Sequence, residues 1–180
     1  MAYSSLRDFI DRLEKAGQLV RVTEPVSTHL EMTEIRTRLL AEGGPAVLFE
    51  NAVRADGTPS PMPVLVNLFG TVERVAWGME REPGELRELG EALAFLRQPE
   101  PPGGWRDALE LVPMLRTALA MKPKKKSGAA PSQEVVLTGD DVDLSALPVQ
   151  MCWPGEPAPL ITWPLVVTKG PGDGREDSFN

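Results

Sequence analysis

The sequence holds a single cysteine, Cys152, so no disulfide can form within the chain and a reducing cytosol fits its thiol chemistry best. It holds a single histidine, His29, which leaves no H-E-x-x-H pair for a zinc hydrolase. No G-x-G-x-x-G, Walker A or C-x-x-C pattern occurs, and each absence removes a default enzyme class. Positive charge is in deficit. Nineteen Lys and Arg against 26 Asp and Glu give a net charge of −7, which argues against a nucleic-acid binder. No apolar run approaches the roughly 20 residues of a membrane span. The opening MAYSSLRDFIDRLEK has charges every few residues and no apolar core of a secretory signal. The expectation is a cytoplasmic protein, with peripheral contact at the inner face of the cell membrane left open.

Apolar residues make up 42%, enough for a packed core. Ser5 and Asp8 resemble a capping box ahead of Leu6, Phe9, Ile10 and Leu13, and Gly17 stops that helix. Leu19 to Val22 reads as a short strand. Leu30 to Ala41 reads as a second helix, with Ile35 and Leu39 inward. Ala46 to Phe49 and Pro63 to Leu68 read as strands, with a loop over 51–62 between them. Thr71 opens a helix, and Leu86, Leu89, Leu93 and Leu96 mark another. Helical spacing returns at Leu109, Val112 and Leu115. From Glu134 the pattern becomes β. Glu134 to Thr138 and Leu160 to Thr168 are strand candidates, Pro164 implies an edge or bulge, and Gly170 to Gly174 reads as a hairpin turn. Almost none of that hairpin's second strand is expected before Asn180, so the chain reads as cut inside a β domain. The fold class is α+β. Residues 1–121 form an α/β domain with helices on a small sheet and a helical extension, 122–133 a basic, Pro-containing linker, and 134–180 the start of a β domain.

No catalytic constellation is complete. His29 precedes a helix and reads as an exposed cap-region residue, because no partner is evident. Cys152 has no base near it in the chain and reads as packing. Asp140, Asp141 and Asp143 lack the glycine and terminal glutamate of a calcium loop, so solvation outweighs metal binding there. Lys122, Lys124, Lys125 and Lys126 suit a soluble linker better than a lipid-headgroup patch. Trp153 and Trp163 flank a Pro-rich segment and read first as packing.

Several blocks together carry a resemblance. They are Ser5-Leu-Arg-Asp-Phe9 with Gly17-Gln-Leu19, Gly43 to Asn51, Pro63 to Gly70, Gly139-Asp-Asp-Val-Asp-Leu144, Cys152-Trp-Pro154, Pro159-Leu-Ile-Thr-Trp163 and Val167-Thr-Lys-Gly-Pro171. In order and spacing the chain resembles UbiD-family decarboxylases, most closely the 3-polyprenyl-4-hydroxybenzoate carboxy-lyase branch of ubiquinone biosynthesis. The resemblance implies an N-terminal α/β domain followed by the first strands of a split β-barrel that holds prenylated FMN. It implies Mn2+, with K+ as a further ion, an aromatic acid substrate and a homo-oligomer. It places Asn180 at the first position of the family's flavin and metal motif, as a ligand of the metal and of the cofactor phosphate. The second metal ligand, the arginine and the proton-transferring carboxylates would follow Asn180. Catalytic residues are therefore expected outside these 180 residues, and the polypeptide alone is expected to be inactive and not to retain cofactor. The alternatives are a non-catalytic binding or assembly module, a stand-alone flavin-binding barrel, and a related decarboxylase of another phenolic or unsaturated acid.

Overall fold

A computed structural model describes residues 3–97, 104, 127, 128, 130, 133–162, 164, 166–169 and 177–179. The described chain is α+β, and it divides into two compact units. One comprises residues 5–70 and 143–180, the other residues 1–4 and 71–142.

The first unit opens with α1 (Leu6–Lys15). Ser5 sits in extended backbone and its hydroxyl accepts from the Asp8 N–H at 3.4 Å, which fixes the start. The helix ends where Gly17 takes φ +69, its N–H bonding to the Glu14 carbonyl and the Gln18 N–H to the Leu13 carbonyl. That paired closure is a Schellman motif. The buried side chains of α1, Phe9 and Leu13, lie on the same stripe, four residues apart. The Phe9 ring stacks on Phe69 with centroids 6.0 Å apart.

β1 (Leu19–Val22) runs parallel to β3 (Ala46–Phe49), and β3 pairs antiparallel with β5 (Val64–Val66). Parallel neighbours need a crossover, supplied here by α2 (Glu31–Ala41). α2 also closes in a Schellman motif, with Gly43 at φ +64. Val47 and Phe49 alternate onto one face of β3. There they join Met32, Val64 and Val66 in the core, with Ile35 and Leu39 of α2 packed against it.

Beyond Phe49 the parallel pairing resumes as β2 (Val26–Ser27) and β4 (Ala52–Val53). Four steps on the first strand, Val22 to Val26, match three on the second, Phe49 to Ala52. The extra residue lies beside Pro25, which has no N–H to offer a ladder. β4 falls in the stretch expected to be a loop, 51–62, and β2 was not expected as a strand. So short a pairing has no periodicity of its own, and tertiary contact creates it.

In the second unit, α3 (Val72–Gly78) starts at Thr71, whose hydroxyl accepts from the Arg74 N–H at 3.3 Å. Its end repeats the closure of α1 and α2, but with Glu80 at φ +54 in the position where the other two carry glycine. A 3-10 turn at Pro83–Glu85, with the Glu82 N–H bonded to the Glu85 carboxylate at 2.7 Å, leads into α4 (Leu86–Arg97). The helical spacing at Leu109, Val112 and Leu115 lies outside the described residues.

The β region departs from expectation. Glu134 to Thr138 forms no strand, and Val135, Val136 and Leu137 are exposed. A β pattern gains little without an edge to pair with. Leu160 to Thr168 does not form one strand either. It yields an isolated bridge at Leu160 and a short strand, β6 (Val167–Lys169), with the donor-less Pro164 between them. The hairpin does have a second strand, β7 (Asp177–Phe179), antiparallel to β6 with Thr168 opposite Ser178. Among the described residues no helix is long and apolar enough to cross a membrane.

Candidate functional site

The candidate site in the first unit is built by two stretches of chain far apart in sequence. Residues 149–152 are tied to residues 28–30 by two backbone bonds. The Met151 N–H donates to the Thr28 carbonyl and the Leu30 N–H to the Met151 carbonyl, both at 3.0 Å. Holding that second bond, Leu30 takes φ +68, a conformation unfavourable for a branched apolar residue. On the other side of the same stretch, the Leu160 N–H donates to the Gln150 carbonyl at 2.9 Å.

Extended chain sends alternate side chains to opposite faces. Val149 and Met151, with Pro159 and Ile161, therefore line one open pocket of about 480 Å³. Gln150 and Cys152, with Leu160, Thr162 and Pro164, line a second of about 690 Å³, and Ile161 borders both. The first pocket is mostly apolar and is completed by Leu144, Leu147, His29 and Arg54. The second is more polar, and Arg36, Asn67 and Trp153 are among its walls.

The residues singled out from sequence are distributed as follows. His29 is exposed and lines the first pocket, its backbone N–H donating to the Ser27 hydroxyl at 3.1 Å. Cys152 is a buried free thiol on the wall of the second pocket, its Sγ 3.8 Å from the Gln150 carbonyl oxygen. Asp140 and Asp141 lie on an exposed 3-10 turn. The Asp143 carboxylate accepts from the Ser145 backbone N–H at 2.8 Å, and the Ser145 bonds hold it below the usual carboxylate range. Among the described residues no three His, Cys, Asp or Glu side chains converge on a metal position. Trp153 is half-exposed. Trp163, Lys122, Lys124, Lys125, Lys126 and Asn180 lie outside the described residues.

Arg54 was not singled out from sequence, and nothing in its spacing could have revealed it. It reaches the pocket because β4 ends at Val53 and the next residues turn. The Arg54 N–H donates to the Thr58 carbonyl at 2.8 Å and the Gly57 N–H returns to the Arg54 carbonyl at 2.9 Å.

Two family descriptions match in the order in which the fold presents their residues. The 3-octaprenyl-4-hydroxybenzoate carboxy-lyase N-terminal domain matches residues 10–93, and the Rift-related domain of the same carboxy-lyase matches residues 123–178. The chain belongs to the UbiD family. Among solved structures, this UbiD-family chain is similar to an evolved dimeric form of the UbiD-class enzyme HmfF from Pelotomaculum thermopropionicum in complex with prFMN. The TM-score is 0.64 at 24% identity, over 98% of this chain and 35% of that one. It is also similar to HmfF from the same organism in complex with FMN, with a TM-score of 0.62 at 24% identity, over 97% of this chain and 33% of that one. At that identity the likeness establishes the fold. The chain spans about a third of the length of these neighbours.

Proposed function

We propose that this chain forms part of a prenylated-FMN-dependent decarboxylase that removes CO2 from 3-polyprenyl-4-hydroxybenzoate in ubiquinone biosynthesis. The observation that carries the reading is the ordered match of both carboxy-lyase domains along one chain. The fold shared with a flavin-bound enzyme of the class supports it. On this reading the substrate is a small aromatic acid, the protein is cytoplasmic, and the working form is a homo-oligomer, as the dimeric HmfF neighbour is. The divalent metal, Mn2+ with K+ beside it, belongs at Asn180. The described residues do not supply its ligand set. A hard divalent ion takes about six oxygens, and Asn180 offers one amide oxygen. The 180-residue polypeptide by itself should therefore show no turnover when cofactor and metal are supplied.

Disrupting the encoding gene tests the reading in the cell. Mass spectrometry should show 3-polyprenyl-4-hydroxybenzoate accumulating and ubiquinone falling. Unchanged quinone with a different phenolic or unsaturated acid accumulating would move the substrate assignment to another branch of the family. A second reading, a non-catalytic assembly module, is favoured by the exposure of Val135, Val136 and Leu137. Disruption would then leave every such acid at its ordinary level.

A further inference from the structure

The docking of residues 149–152 against residues 28–30 works against a strained turn. Leu30 has φ +68 and ψ −36, and across it the Glu31 N–H donates to the His29 carbonyl at 2.8 Å. That is a γ-turn of the positive-φ kind, which is rare and strained, and it is built on a leucine where glycine would carry no Cβ penalty. Such strain persists only where surrounding contacts over-determine it. Here the contact is the Met151 carbonyl, which holds the Leu30 N–H at 3.0 Å while the Met151 N–H donates to the Thr28 carbonyl. Nothing local to the start of α2 replaces it. Leucine has no side-chain oxygen to cap the helix. The bonds from the Ser27 N–H to the Glu31 carboxylate and from the His29 N–H to the Ser27 hydroxyl hold the residues around the turn without using the Leu30 N–H.

The docked stretch brings few contacts of its own. Among the described residues from 133 to 162 the only buried one is Cys152, and Leu144, Leu147, Leu160 and Ile161 are all exposed. A third backbone bond, from the Leu160 N–H to the Gln150 carbonyl, ties on the next piece of chain. Segments that bury so little apolar surface open at a lower free energy than a packed ladder. Two backbone hydrogen bonds and one buried thiol offset a turn whose cost is of the same order, so docking is favoured only narrowly.

We infer that residues 149–152, with Leu160 attached, are a reversible latch. Docked, they force Leu30 into its γ-turn. Released, Leu30 relaxes to negative φ, Cys152 meets solvent, and a wall is withdrawn from two cavities at once. Val149 and Met151 line one cavity and Gln150 and Cys152 the other, so a single opening alters both. The latch joins residues 28–30, within the match to the N-terminal domain, to residues 149–152, within the match to the Rift-related domain. The inference rests on these bonds and this turn, not on the decarboxylase reading.

The single cysteine makes the opening measurable, because a thiol reagent reports Cys152 alone. The 180-residue chain is treated with excess iodoacetamide over urea concentrations below the unfolding transition, and mass spectrometry follows the alkylation. The rate should be nearly independent of urea, whereas amide exchange in the β1–β3 ladder should accelerate steeply with it. Leu30→Gly relieves the turn, and Leu30→Ala loses the side chain but keeps the strain. The glycine variant should react roughly fivefold more slowly than the alanine variant. Met151→Pro, which lacks the N–H given to Thr28, should react about tenfold faster than wild type with far-ultraviolet circular dichroism unchanged. The inference is overturned if alkylation follows urea as steeply as ladder exchange does, or if the glycine and alanine variants react alike. It is overturned equally if Met151→Pro folds normally and reacts as slowly as wild type, or if native Cys152 reacts as fast as in denatured chain, since the stretch would then not be docked.

Discussion

Replacing Phe49 by alanine tests whether the face of β3 that meets α2 is the core of the first unit. The side chain is 1% exposed and sits in the cluster with Met32, Val47, Val64 and Val66. Returning a buried phenylalanine to water costs about 1.5–3 kcal/mol in lost transfer free energy. Truncation also vacates roughly 100 Å³, and if about half stays open the cavity adds ~1 kcal/mol at ~24 cal/mol per Å³. The total, ~2.5–4 kcal/mol, shifts the folding equilibrium by a factor of roughly fifty to several hundred. For a chain of this size it lowers the melting midpoint by roughly 10 °C. Urea unfolding followed by far-ultraviolet circular dichroism measures it, and the denaturant slope should be unchanged. Val20→Ala serves as the control, because Val20 is 46% exposed on the neighbouring strand and should cost within ~0.5 kcal/mol. If Phe49→Ala costs no more than Val20→Ala, this face is not the core and the layering of α2 on the sheet is wrong.

Three further outcomes are expected. Glu80→Gly should stabilise the chain by up to ~1 kcal/mol, because a glycine avoids the steric cost at φ +54, whereas Gly17→Ala should destabilise it by ~1 kcal/mol; paired melting curves check both signs. Thr71→Ala should cost about 1 kcal/mol through the lost cap on the Arg74 N–H, read in the same way. Arg21 bonds Glu14 at 2.7 Å and Glu50 at 3.0 Å, tying α1 to the β1–β3 pair, and the hydrogen bond to Arg21 holds the Glu14 carboxyl below its usual range. A depressed carboxylate contributes stability above its unfolded value and loses it as pH falls through the folded one. The melting difference between wild type and Arg21→Met should therefore be present at neutral pH, shrink under acid, and shrink in high salt.

Much of the first unit is legible in the sequence because its elements are self-contained. Ser5, the Phe9–Leu13 stripe and Gly17 specify α1 locally, Ala46–Phe49 is an apolar run, and Leu19–Val22 sets three apolar residues around Arg21. What escapes is made by distant partners. β2 and β4 exist because each offers the other an edge, and the Met151 bridge to residues 28–30 spans more than a hundred residues of chain. The same dependence explains Glu134 to Thr138, whose β composition finds no partner strand among the described residues. The family was readable from blocks such as Pro159 to Trp163, while the pocket was not. Arg54 stands in a turn-rich loop with no motif around it, and only the fold brings it to Met151 and Ile161. Asn180, the residue the resemblance assigns to metal and cofactor, rests on the motif alone.

Release of label from carboxyl-labelled 3-polyprenyl-4-hydroxybenzoate is the most direct measurement of the central claim. Extracts of cells carrying the gene should liberate labelled CO2, extracts of disrupted cells should not, and restoring the gene should bring the release back. Equal release from both extracts would contradict the account.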